Sequence, residues 1–446
     1  MSKVMDNTMM NKWILLVVLL TSSSCCASPS DHSAFLLELT NDTYNYLLAA
    51  DMGSGLPENW YTYSEWGSYC SPEEAGFYML SHIGAAEIGL ISSDTAKERI
   101  EKTLGALKGL PRDQGLFYRY YYTKTLIPTD FTDVPSIGNA MLAASLITIE
   151  RWADESGFKE ISDNSSEILD LMDLSIFYNN SSNRFYHDLT LEQEWDYYSS
   201  DGRIVPFIAY VLGGINEADF RNSLVCLEQP DLYYNISTSN TTTHSTDPQD
   251  ILVKKTSWDG SMFTYIVPAL FIKEHSTTYQ DETINPAVLA QMIYANRSDF
   301  RINGITVWGI SDAYNTDNSY CWEYCGAPPT AAALPPPPYN NPYQVCPGLI
   351  TPHASALALI SDYSEKAAEN LLVLSQQPDL YDDVYGFKDS FNVYTGVATN
   401  RIVTLDQEWI FLSLMDSFNG TLWRYFYQNP EVVAAHNIMY PRASNS

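Results

Sequence analysis

Carboxylates beside aromatic rings are the reactive groups this chain holds in quantity. Its 446 residues include 54 Asp and Glu, 32 Tyr and 10 Trp, more aromatic surface than core packing alone requires. That combination suits sugars. The apolar face of a pyranose lies on an indole or phenol ring, and two carboxyls flanking a glycosidic bond can cleave it. Other chemistries lack their residues. The seven histidines are scattered with no His-Glu-x-x-His pair, and the Gly-x-Ser-x-Gly, P-loop and dinucleotide fingerprints are absent. Asp312, Asn315, Asp317, Ser319 and Glu323 offer calcium-type oxygens without EF-hand spacing or its central glycine. Cys321 and Cys325 have no second Cys/His pair to complete a zinc site. The expectation is no metal and no organic cofactor. Composition alone describes a lectin, or a surface protein with a Tyr-rich core, equally well.

The elements that would carry such groups read mainly as helices. Ala34 to Ala49 places Phe35, Leu36, Leu39, Tyr44, Leu47 and Leu48 in one broad apolar stripe. Similar spacing predicts helices over Glu73–Gly89, Ser93–Leu110, Asn139–Trp152, Ser165–Ile176, Arg203–Leu212, Met262–Phe271, Pro286–Tyr294, Ser355–Ser375 and Ile410–Ser417. Many begin behind Ser, Asp or Pro, the residues that open helices. Helix starts a few tens of residues apart, with little strand alternation, suggest serial helical hairpins. The intervening loops Pro57–Tyr69, Tyr118–Ser136 and Trp308–Gly348 are long and aromatic, and the last carries the stiff run Pro335–Pro338. Long loops in a compact domain are more often functional than idle. Thr238–Ser245 reads as a polar surface loop.

Charge narrows the partners. With 24 Lys and Arg against 54 Asp and Glu the net charge is −30. That disfavours nucleic acid, anionic membrane surfaces and acidic polysaccharides. The N-terminus joins Lys3 and Lys12 to the apolar run Trp13–Leu20 and a small-residue stretch ending at Ala27. This is the pattern of a secretory signal peptide over residues 1–27, leaving residues 28–446 as a single domain. Eight apolar residues fall short of the roughly 20 that cross a bilayer. Eight Asn-x-Ser/Thr sequons follow, at Asn41, Asn164, Asn179, Asn180, Asn235, Asn240, Asn296 and Asn419. They favour a secreted glycoprotein, expected to be a monomer. Five cysteines remain beyond the signal, Cys70, Cys226, Cys321, Cys325 and Cys346, enough for two disulfides and one spare thiol.

An ordered set of short motifs resembles the glycoamylase-like family, which contains the endo-β-1,2-glucanases. The set opens with Cys70-Ser-Pro-Glu-Glu-Ala-Gly-Phe-Tyr-Met-Leu80 and Ala85-Ala-Glu-Ile-Gly-Leu-Ile91. Next come Gly115-Leu-Phe-Tyr118, Ser200-Asp-Gly-Arg203, Ser257-Trp-Asp-Gly-Ser-Met-Phe263, Trp308-Gly-Ile-Ser-Asp312 and Tyr324-Cys-Gly-Ala-Pro328. Ile350-Thr-Pro-His-Ala-Ser-Ala-Leu-Ala-Leu359, Leu405-Asp-Gln-Glu-Trp-Ile410, Asn419-Gly-Thr-Leu-Trp423 and Asn429-Pro-Glu431 complete it. The resemblance implies an all-α (α/α)6 toroid and inverting hydrolysis of a β-linked glucan such as β-1,2-glucan.

Carried over by position, the resemblance makes Asp201 the general acid, where the family has Glu, and Asp406 the base. Asp is one methylene shorter than Glu, and a 1 Å misplacement can cost about 10²-fold. Gly138, Thr264 and His353 also depart from the Asp, Glu and Tyr common in relatives. Asp201 would need its pKa raised by burial or by neighbouring acids to serve as acid. Glu192, Glu194 and Asp196 are second choices for that role, and Glu408 could support Asp406. Arg203, Trp258, Asp259, Trp308, Asp312, Tyr324 and His353 are the expected substrate contacts, with a helix-entry salt bridge the competing role for Arg203. Asp133 reads only as the start of the turn before Pro135. The rival reading is the same fold with weak or no catalysis, serving as a carbohydrate-binding or extracellular structural protein.

Overall fold

The computed structural model describes residues 31–321, 325–333 and 347–441. The signal sequence, Tyr324, Cys346 and Pro335–Pro338 lie outside them. Among the described residues the chain forms fourteen α-helices. They are α1 Asp31–Ala50, α2 Pro72–Glu87, α3 Ser93–Gly109, α4 Ser136–Ser156, α5 Lys159–Leu169, α6 Ile204–Val211 and α7 Glu217–Val225. The series continues with α8 Met262–Ile266, α9 Asn285–Arg297, α10 Pro352–Leu357, α11 Ser364–Ser375, α12 Thr404–Asn419, α13 Thr421–Phe426 and α14 Pro430–Met439.

The even-numbered helices from α2 to α12 close a ring. α2 packs on α4, α4 on α6, α8 on α10, α10 on α12, and α12 back on α2. The 3₁₀ turn Asp201–Arg203 that leads into α6 bridges it to α8. The odd-numbered helices α1 to α11 pack outside them, which makes six hairpins and an (α/α)6 toroid. Composition sorts the two layers. In α2 every residue from Glu74 to Ala85 is buried, as expected of a helix that is apolar all round. α5 buries only Ile161, Ser162, Ser165 and Ile168, one stripe at helical spacing. Close approach within the ring needs small residues: a Cβ on Gly76 of α2 would lie 2.7 Å from Ser145 Oγ of α4.

Local chemistry sets the helix ends. Ser71 caps α2 through a reciprocal box, its Oγ accepting from Glu74 N–H while Glu74 Oε2 accepts from Ser71 N–H. Gly157 stops α4 in the left-handed conformation at φ 75°. The apolar run read over Ser355–Ser375 is not one helix. It breaks after Ile360, because Ser361–Tyr363 makes the turn from the inner to the outer layer. Helices α7, α13 and α14 carry no clear period and were not expected. Thr238–Ser245 is not wholly loop: Asn240–Thr242 pairs with Leu232–Asn235, which also pairs with Ile251–Val253.

The long aromatic loops are tied down by short antiparallel pairs. Trp60–Tyr61 joins Ile402–Val403, Tyr69–Cys70 joins Tyr121–Tyr122, and Ala313–Tyr314 joins Tyr320–Cys321. Cys70, Cys226 and Cys325 are free thiols, which leaves room for one disulfide where two were expected, and Cys321 is disulfide-bonded. Cys70 packs inside the core, its Sγ directed to the Ser71 carbonyl. No helix of the described residues is long and apolar enough to cross a membrane. All eight sequon asparagines are at least partly exposed.

Candidate active site

One cavity of about 280 Å³ sits where the inner helices begin. Its wall takes Glu73 and Phe77 from α2, Ile137 and Met141 from α4, and Asp201 from the turn before α6. Phe263 and Val267 come from the α8 region, and Leu405, Asp406 and Trp409 from α12. First-turn residues of four inner helices and the turn leading into a fifth therefore face a single space, so these helices point the same way. The loops complete the wall with Arg119, Asp312, Tyr314, Tyr320 and Asp389. Below it Phe77 stacks on Phe271, which meets Phe426, which stacks on Phe207.

Asp201 and Asp406 both line this cavity. They belong to the third and sixth inner helices and so stand on opposite arcs of the six-membered ring. Burial pushes the Asp201 carboxyl up to about 6, against hydrogen bonds from its own and the Gly202 backbone that lower it. The turn carrying it is tightly held. A Cβ on Gly202 would meet the Trp195 ring at 2.4 Å, and Trp195 Nε1–H donates to Ser136 Oγ.

Asp406 is the third residue of α12, and burial pushes its carboxyl up to about 7. Two neighbours define its surroundings. Asp389 shares a hydrogen bond with it, and burial together with the Asp406 charge holds Asp389 well above the usual carboxylate range. Asp389 therefore keeps the shared proton and Asp406 accepts it. His353 Nδ1 lies 3.3 Å from Asp406 Oδ1, and burial lowers that imidazole to about 4, leaving it neutral. One ligand atom from each of His353, Asp389 and Asp406 can be chosen within 4.8 Å of the others, a spacing a small cation could occupy. The proton shared by the two carboxyls accounts for the cluster without one.

A second hollow of about 920 Å³ opens beside the first, with Asp201 lining both. It contains Trp258, Asp259, Thr264, Trp195, Tyr197 and the acidic run Glu192, Glu194 and Asp196. Burial, with Asp201 adding repulsion, pushes Asp259 up to about 6. Among the second-choice acids, Glu194 already accepts from Asn179 and Ser182, and Asp196 is paired with Arg184. Asp201, Asp406 and Asp312 thus gather at the first cavity, and Trp258 and Asp259 at its extension, whereas His353, expected to touch substrate, is buried behind Asp406 and does not line the wall.

Three expectations fail on geometry. Arg203 is fully buried and all five of its N–H groups are taken, by Glu274 and by the carbonyls of Ser200, Thr264 and Tyr265. It anchors the Asp201 turn and has no donor left for sugar. Trp308 is buried on the far side of α10, its backbone bonded to Asn370 of α11. It lines a separate hollow between α9 and α11. Glu408 is buried against Glu74 and Glu73 and does not line the cavity, because two residues along a helix from Asp406 is nearly the opposite face. Asp133 is paired with Arg119.

The cavity also uses residues the sequence did not single out. Trp409 stacks on Phe263 with ring centroids 5.8 Å apart and planes 8° from parallel, and these two form the aromatic wall. Trp409 lies three residues after Asp406, so helical spacing alone puts it on the same face. Asp389 and Arg119 come from loops between short strands, where no period marks them.

A closed ring of inner helices with two carboxyls facing each other at one end defines a toroid with an acidic, aromatic-walled cleft. The family described as "Putative glucoamylase" matches residues 225–430, bearing out the resemblance to the glycoamylase-like family. A putative glucoamylase from Bacteroides fragilis superposes with a TM-score of 0.76 at 16% identity, over 94% of this chain and 99% of that one. An endo-β-1,2-glucanase from Chitinophaga pinensis, solved with sophorotriose and glucose, gives 0.74 at 17% identity over 92% and 98%. Endo-β-1,2-glucanase from Talaromyces funiculosus, a mutant with bound β-1,2-glucan, gives 0.68 at 12% over 92% and 90%. At such identities the likeness carries the fold. The cyclic β-(1,2)-glucan synthase NdvB of Rhizobium meliloti is 30% identical over 88 residues, which is 19% of this chain and only 3% of that protein.

Proposed function

We propose that the protein is a secreted glycoside hydrolase that cleaves a β-linked glucan, β-1,2-glucan before other linkages, with inversion at the anomeric carbon. The observation that carries this reading is the placement of Asp201 and Asp406 on opposite arcs of one aromatic-walled cavity. An inverting pair must stand roughly 6.5–9.5 Å apart so that water fits between base and sugar. In the proposed step, protonated Asp201 gives its proton to the glycosidic oxygen as the C1–O bond breaks. Ionised Asp406 takes a proton from the water that bonds to C1 from the opposite face. Asp389 and neutral His353 orient Asp406. The first turn of α12 adds its helix N-terminal field, which favours the ionised form of the base. Trp409 and Phe263 supply the stacking surface, and Trp258 continues it into the second hollow.

Support for the linkage is the likeness to solved β-1,2-glucanases and to a stretch of a β-(1,2)-glucan synthase. Secretion is supported by the signal-like N-terminus and by the exposure of all eight sequon asparagines. The test is to incubate the purified protein with β-1,2-, β-1,3- and β-1,4-glucans and assay new reducing ends. Release from β-1,2-glucan alone is expected. Binding without release from any glucan would instead establish a sugar-binding protein on this scaffold.

A further inference from the structure

Positions 73 and 138 compete for one space at the edge of the cavity. Glu73 is the second residue of α2, and Gly138 is the third residue of the adjacent α4. A Cβ placed on Gly138 would lie 2.3 Å from Glu73 Oε2 and 3.2 Å from its Cδ. The glutamate carboxyl therefore fills the place where a side chain of α4 would otherwise project. Its Oε2 is buried and has no hydrogen-bond partner. Glu73 lines the cavity with Asp201 and Asp406, within electrostatic range of Asp201 and Arg119. An unpartnered buried carboxyl oxygen costs stability. Its own backbone N–H and Ser71 bond the carboxyl, but the Phe77, Ile137 and Met141 side chains beside it in the cavity wall add no polar group, whereas a sugar hydroxyl would.

We infer that Glu73 is a third catalytic carboxyl of this site, bonding a hydroxyl of the bound sugar, and that Gly138 is glycine because Glu73 needs the space. Burial holds the carboxyl above its ordinary range, against its own backbone N–H, the Arg119 charge and the Ser71 hydroxyl, with a smaller repulsion from Asp201 adding. The role in cleavage rests on the hydrolase reading above. The spatial exchange between the two helices does not.

The experiment uses Glu73→Ala, Glu73→Gln, Gly138→Ala and the double variant Glu73→Ala/Gly138→Asp in the full chain. Each is assayed for kcat/KM on β-1,2-glucan, for affinity to β-1,2-linked glucotriose by calorimetry, and for Tm. Glu73→Ala is expected to lower kcat/KM by about 10²-fold while raising Tm, since the unpartnered group is gone. Gly138→Ala keeps Glu73 but displaces its carboxyl, and should lose activity to a similar degree. The double variant returns a carboxyl to the same space from α4 and should recover at least about tenfold over Glu73→Ala. The inference is overturned if Glu73→Ala and Gly138→Ala both work within about twofold of wild type. A double variant no better than Glu73→Ala also overturns it. If wild type cleaves no glucan, the hydrolase reading fails by itself. Glucotriose affinity then decides, with a loss of about tenfold or more in Glu73→Ala supporting the inference. Unchanged affinity, or a wild type that binds none, overturns it.

Discussion

At the residue scale the proposed hydrolase turns on how two buried aspartates would divide acid and base work. Asp201 loses its proton at about 6 and Asp406 at about 7. The productive pairing, Asp201 protonated and Asp406 ionised, is therefore most populated near pH 6.5, at about the midpoint of the two. A bell-shaped kcat/KM profile with limbs near those values is expected. Asp389 sharpens the prediction. Its hydrogen bond stabilises ionised Asp406, so Asp389→Ala should raise the upper limb and lower the maximum rate. An upper limb that stays in place would show that Asp389 does not act through Asp406. The two aspartates were legible because each lies inside a motif with a recognisable place in the chain. Asp389 was not, because the loop that carries it is positioned by strand pairing alone. The Glu that the resemblance implies at position 201 was a poor guide to feasibility, because burial raises the pKa of the shorter Asp as well.

Elements decide whether those carboxyls point anywhere useful. The Asp201 turn is anchored from below by Arg203, which bridges Glu274 at 2.9 Å and caps three carbonyls. Breaking a buried ion pair leaves an uncompensated charge and costs about 3–5 kcal/mol. Glu274→Ala should lose that much in chemical denaturation and take most of the activity with it. An activity loss at unchanged stability would return Arg203 to a substrate role. Trp308 makes the converse case. Trp308→Ala should cost about 3–5 kcal/mol as a core truncation, with KM for glucan unchanged in whatever protein remains folded. Its motif matched the family while its side chain went to the core, because a motif fixes the backbone course and not the face a ring takes. Helix positions were readable where one face repeats an apolar period, as in α1, α3 and α9. They were blurred where an inner helix is buried all round and short, as at α8 and α10.

For the whole molecule, the acids buried in the helical core have a thermodynamic consequence. Burial raises Glu74 to about 8 and holds Glu408 and Asp416 well above the carboxylate range. For each, the folded-state pKa exceeds the unfolded one. Their neutral forms stabilise the fold fully below about pH 4. That contribution is lost as pH climbs toward 8 and the folded groups ionise. The net charge of −30 adds repulsion in the same direction. Tm should therefore fall steadily from pH 5 to pH 8.5, and a flat or rising Tm would contradict this assignment of buried neutral acids. The serial hairpins were legible from the helical periods, whereas ring closure came only through the family resemblance, since it depends on contacts between helices far apart in sequence, such as α2 with α12. Closure is what sets Asp201 and Asp406 on opposite arcs, and it makes the stereochemical outcome the most direct test. Proton NMR of the first products from β-1,2-glucan should show the α-anomer, with cleavage abolished in both Asp201→Asn and Asp406→Asn. A β-anomer as first product, or full activity in either variant, would contradict the account.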